Sequence, residues 1–111
     1  MTDRELLELA AKAAGYTLED HYDVNDLYWP WCVELGDNWC PLTDDGDALR
    51  LAVKLGLDVE MHGCRATHLY ACAFDRERNI AEEEQPADGD PYAATRRAIV
   101  RAAAEIGRAI T

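Results

Sequence analysis

No stretch of this chain approaches the roughly 18 consecutive apolar residues of a membrane-crossing helix. Positive charge is scarce too: 11 lysines and arginines face 22 aspartates and glutamates, for a formal charge of −11. That balance argues against a surface that tracks the phosphates of DNA, RNA or anionic lipid. The opening Met1-Thr2-Asp3-Arg4-Glu5 lacks the basic-then-apolar grammar of a secretory signal, so a cytoplasmic setting is expected. Also missing are a phosphate-cradling glycine loop, a Gly-x-Ser-x-Gly turn, a calcium-loop spacing and a zinc-protease helix. There are no internal repeats or low-complexity tracts. What is there is 111 residues, about half hydrophobic and 30% charged, which fits one globular domain over residues 1–111.

Three segments read as helices. Thr2 to Ala14 begins with a Thr-x-x-Glu capping pattern (Thr2, Glu5), carries Leu6, Leu9, Ala10 and Ala13 at helical spacing, and stops at Gly15. Thr43 to Leu55 has Asp44, Asp45 and Asp47 at its positive end, Lys54 in its last turn and Gly56 as its stop. Asp90-Pro91 opens the third, which runs to about Ile110 with Tyr92, Ile99, Ala103, Ile106 and Ile110 as its apolar stripe. Its many alanines keep it slim, while Arg96, Arg97, Arg101 and Arg108 lie off the stripe.

Between the helices, Tyr16 to Asp26 shows no sustained period and reads as a loop. Leu27 to Leu35 has strand composition but contains Pro30, which predicts an edge strand or extended arm. Leu57–Met61, Ala66–Phe74 and Asn79–Glu84 predict an antiparallel meander whose middle strand is apolar on both faces. The fold class expected is α/β (α+β): a three-layer α/β/α sandwich with three helices and a largely antiparallel sheet.

Cys32, Cys40, Cys64 and Cys72 pose a choice between metal ligands, thiol chemistry and small core hydrophobes. His62, Cys64, His68 and Cys72 fall in one stretch, yet their spacing is not that of a zinc knuckle, and Cys32 and Cys40 are too far apart for one. On a single strand, Cys64 and His68 would stand about 13 Å apart, beyond hydrogen-bond reach. Buried thiols acting as hydrophobes are therefore expected, with no metal and no cofactor. Asp44, Asp45 and Asp47 could in principle hold a cation, but helix capping accounts for them.

The run Trp39-Cys40-Pro41-Leu42-Thr43-Asp44, leading into Ala48 to Leu55, resembles the Trp-x-Pro-x-Thr-Asp lead-in of the phage ABA-sandwich domain, a family of small phage and prophage proteins. The Ala94 to Ala103 pattern is similar to that family's last helix, and Glu5 to Gly15 to its first. The acidic Asp45-Gly46-Asp47 and the Cys/His-rich meander depart from the family pattern. The resemblance implies a fold and a phage origin. It carries no catalytic residues.

Tyr28, Trp29, Trp31 and Trp39 crowd around Pro30 and Pro41. Trp39 is expected to plug the core, whereas an alternating strand must turn some of the others outward, and aromatics with a polar edge are favoured at protein interfaces. The run Glu82-Glu83-Glu84 gives an acidic edge that discourages strand pairing and could meet a basic partner. The expected function is a non-catalytic phage or prophage accessory protein that binds a host or phage protein through Tyr28, Trp29, Trp31, Glu82, Glu83 and Glu84, interfering with a host function such as defence. The alternatives are a metal- or thiol-dependent enzyme using the Cys/His meander, and a homo-oligomer joined through the alanine-rich last helix.

Overall fold

Thr2 opens the first helix: its hydroxyl accepts the Glu5 N–H at 3.1 Å, satisfying a donor that the first turn leaves unpaired. This helix, α1, spans Asp3–Ala14 and ends where Gly15 turns left-handed at φ 78°. Helix α2 spans Asp45–Leu55; of the two candidate caps, Thr43 and Asp44, it is Asp44 that caps it, by accepting the Asp47 N–H. Helix α3 spans Pro91–Ala109, with the Asp90 carboxylate accepting the N–H groups of Tyr92 and Ala93. The structure, a computed structural model, describes residues 1–64, 67–85 and 90–110, and the side chains of all these except 63, 64 and 67–69.

The strands form two antiparallel sheets. β1 (Leu18–Tyr22), β2 (Tyr28–Cys32) and β3 (Asp37–Asn38) lie in that order in one; β4 (Asp58–Cys64), β5 (Thr67–Asp75) and β6 (Ile80–Glu84) lie in that order in the other. The mixed α+β sandwich with three helices and antiparallel strands is thus the architecture observed, with its strands divided between two sheets.

Local readings change in three places: strand β4, expected over Leu57–Met61 with a turn after it, runs on to Cys64 because its pairing with β5 continues there. Residues 18–22 are a strand, not a loop, because pairing with β2 from Leu18↔Cys32 to Tyr22↔Tyr28 supplies what their own composition lacks. Strand β2, read as an edge, has neighbours on both sides. Pro30 is tolerated because its carbonyl accepts the Trp39 N–H, which turns its donor-less nitrogen to the β3 side. There β3 pairs only with Trp31 and Cys32.

Helix α3 is the centre of the molecule. One side lies under β5 and β6, where Ala71 and Ala73 are fully buried, and α1 packs along it more extensively than any other helix does. Ala98, Ala102, Ala103 and Ala104 are all sealed inside, so the alanine face cannot be an external self-contact. Gly107 marks the closest approach: a Cβ there would stand 2.0 Å from the Leu9 carbonyl oxygen. The ends of the expected α3 stripe differ, since Tyr92 and Ile110 are exposed.

Candidate functional site: an aromatic face on the small sheet

The register of β1 with β2 sorts their side chains by face. Leu18, Asp20 and Tyr22 share one face with Tyr28, Pro30 and Cys32; Pro30 and Cys32 are buried. Tyr28 is half-buried, and its hydroxyl is enclosed close to Asp20, with no well-formed hydrogen bond among the described residues. Burial pushes its pKa up, and the nearby Asp20 carboxylate pushes it further. Arg4 reaches from α1 to pair with Asp20 and lies 4.6 Å from the Tyr28 ring centre. Tyr28 therefore works on the inner side, away from the two tryptophans.

The opposite face pairs Glu19 with Trp31 and His21 with Trp29. His21 stacks parallel to Trp31 at 5.3 Å and 3°, and meets Trp29 edge-on at 4.8 Å. The two indoles are 6.1 Å apart. All three rings are half-buried, and Glu19 extends beside His21 with its carboxylate 3.4 Å from Nε2. The result is an open aromatic shelf rimmed by an acid. The sequence reading of residues 16–26 as a loop misses Glu19 and His21, because the polar Asp20 breaks the apolar alternation between Leu18 and Tyr22 that would mark a strand.

Trp39, in contrast, is 1% exposed and meets Tyr16 edge-on at 5.7 Å. The shelf is braced from behind by Glu34, whose carboxylate accepts both the Thr17 N–H at 2.6 Å and the Thr17 hydroxyl at 2.9 Å. The Thr17 N–H holds the Glu34 pKa below its ordinary value.

The acidic run is placed differently from a free edge. Glu82 and Glu84 turn inward from β6 toward α3: Arg101 pairs with Glu82 at 3.0 Å and also with Glu84, and Arg97 lies 3.9 Å from Glu84. The hydrogen bond to Glu84 leads the causes that raise the Arg101 pKa. Of the three carboxylates only Glu83 points outward. The α2 acids are likewise engaged: Asp45 with Arg96 at 2.6 Å, and Asp47 with the Cys40 N–H at 3.0 Å and Arg50 at 2.8 Å.

Cys72, the meander's cysteine among the described side chains, is poor ground for thiol chemistry. Cys72 is nearly buried, and burial first, then Glu83, Glu60 and Glu82, pushes its thiol pKa up, which keeps it protonated and weakly nucleophilic. His62 Nε2 lies 2.7 Å from a Glu60 carboxylate oxygen, which can only accept, and the ring stacks on Tyr70. Cys64 and His68, the other two candidate ligands, have side chains outside the described residues. Among the described residues no three His, Cys, Asp or Glu side chains converge as a metal site.

Comparison with protein-family models, curated proteins and solved structures finds no match for this chain.

Proposed function

We propose that the protein is a non-catalytic binding module whose contact surface is the shelf formed by His21, Trp29 and Trp31. The observation that carries this reading is the packed arrangement of two half-exposed indoles and an imidazole on the face of the β1–β2 pair opposite the buried Pro30 and Cys32. Rigid aromatics give a large contact area at low conformational cost, which is why they dominate interface energetics. Glu19 at the rim and the charge of −11 favour a basic partner surface: an arginine can stack on an indole while its guanidinium meets the carboxylate. Of the residues named from sequence, Trp29 and Trp31 belong to this surface. Tyr28 supports it from behind, and Glu83 could extend the acidic field. In the phage setting that the Trp39 to Asp44 resemblance implies, the partner is a host or phage protein and the role is interference with a host function.

The test is a pull-down from host lysate with the purified protein and with the double variant Trp29→Ala, Trp31→Ala. The expected result is a specific partner lost by the double variant while its unfolding midpoint stays near that of the parent. A partner retained in full by a folded double variant overturns the reading.

A further inference from the structure

The sheet β4-β5-β6 has one edge that nature usually protects and here leaves open. Asp58, Val59, Glu60 and Met61 are all exposed, and among the described residues nothing pairs with the outer side of β4. The strand has no lysine or proline to blunt pairing, and its only irregularity is a register shift between His62 and Cys64. The inner side is unfilled as well. Helix α3 packs mainly under β5 and β6 and meets β4 only through its first turns, where the Thr95 hydroxyl donates to Met61 Sδ at 3.1 Å. Val59 and Met61 therefore look into an open apolar groove of about 640 Å³, floored by Tyr92, Thr95 and Ile99 of α3 and walled on the far side by α2. Leu49, on the α2 wall of the groove, is 64% exposed.

We infer that this edge is the contact between two copies of the chain, joined by antiparallel pairing of β4 with β4 of the second copy into a six-stranded sheet. A two-fold axis requires antiparallel strands, and residues that face each other must then lie on the same side of the sheet. Two central registers satisfy that condition. Centring the axis on Glu60 sets two carboxylates directly opposite each other, which is destabilising. Centring it on Met61 sets each Glu60 opposite the second copy's His62 and brings the two Met61 side chains together over the joined grooves. In the single chain, Glu60 and His62 already meet at 2.7 Å. In the pair they form an alternating square of two acids and two imidazoles, with Tyr70 stacked beneath each ring. The charge pattern of this short strand is therefore complementary to itself in one register and not in the other. The charge of −11 on each copy opposes association, so added salt should favour the pair.

Two measurements test the inference on the full chain. Mass in solution, by sedimentation or light scattering over a roughly hundredfold dilution series, should rise from one chain to two with concentration. Met61→Arg, which sets like charges together at the axis, should remain a single chain throughout with an unchanged circular dichroism spectrum. Under mild oxidation, Met61→Cys should give a covalent dimer beyond any formed by the parent, because directly opposed Cα atoms are about 4.5–5.5 Å apart. Glu60→Cys should not, because its own counterpart then lies diagonally across, about 7–8 Å away. A single chain at every concentration, a pair undisturbed by Met61→Arg, or cross-linking through Glu60→Cys in place of Met61→Cys overturns the inference.

Discussion

Asp75 shows how one side chain ties a turn together. It is buried at the end of β5, and its carboxylate accepts the backbone N–H groups of Glu77 and Arg78 and the Arg78 guanidinium. The bond from the Arg78 side chain leads the causes that hold its pKa below the ordinary value. A carboxylate with a depressed folded pKa stabilises the fold above its unfolded pKa, and that contribution disappears as pH falls through the folded value. Asp75→Asn should therefore be less stable than the parent at neutral pH, and the gap should close as pH drops below about 4. Urea midpoints measured across that range check it; a gap that stays constant with pH would contradict the role given to the charge. Tryptophans divide by the same logic of burial. Trp39→Ala empties a sealed site and should cost about 3–5 kcal/mol. Trp31→Ala removes a half-exposed ring and should cost well under half as much, which equilibrium denaturation of the two variants compares directly.

Among the elements, α3 sets the terms for the others. Its small residues admit α1 on one side and β5 on the other, and the contact at Gly107 leaves no room for a methyl group against the Leu9 backbone. In an open helix, Gly→Ala would gain about 1 kcal/mol in propensity. Here the obstacle is backbone, which cannot swing aside as a side chain could, so Gly107→Ala should destabilise by about 2 kcal/mol or more. A melting temperature equal to or above the parent's would contradict the close packing of α1 on α3. The arginines of α3 explain why its basic face is not a free surface: Arg96 holds the start of α2 through Asp45, Arg97 reaches Asp3 of α1 at 3.0 Å, and Arg101 holds β6. The basic side chains Arg96, Arg97 and Arg101 of the last helix are thus answered within the fold, which leaves the outer acids and the aromatic shelf as the features the proposed partner would meet.

For the whole molecule, the two proposed surfaces lie on different sheets and make separable predictions. The shelf on β1 and β2 concerns a foreign partner; the open edge of β4 concerns a second copy. Trp29→Ala with Trp31→Ala should leave the mass in solution unchanged, and Met61→Arg should leave capture of the foreign partner unchanged. The substitutions thus report on one surface at a time. Among the described residues no helix is long and apolar enough to cross a membrane.

The three helices were legible in the chain because their information is local. Thr2, Asp44 and Asp90 cap, Gly15 and Gly56 stop, and apolar residues recur at helical spacing, all within reach of a few neighbours. The meander was legible for the same reason, by alternation and by the turn after Asp75. Strand β1 was not, since its pairing partner lies across a turn and its residues have no strand preference of their own. Pro30 misled because its meaning depends on how short β3 is. The outward turn of Trp29 and Trp31 and the engagement of Glu82 and Glu84 by Arg101 were decided by register and by the position of α3 beneath the sheet. Those are long-range facts: a side chain's type says what it can do, while packing decides which way it faces and whether its charge is already answered.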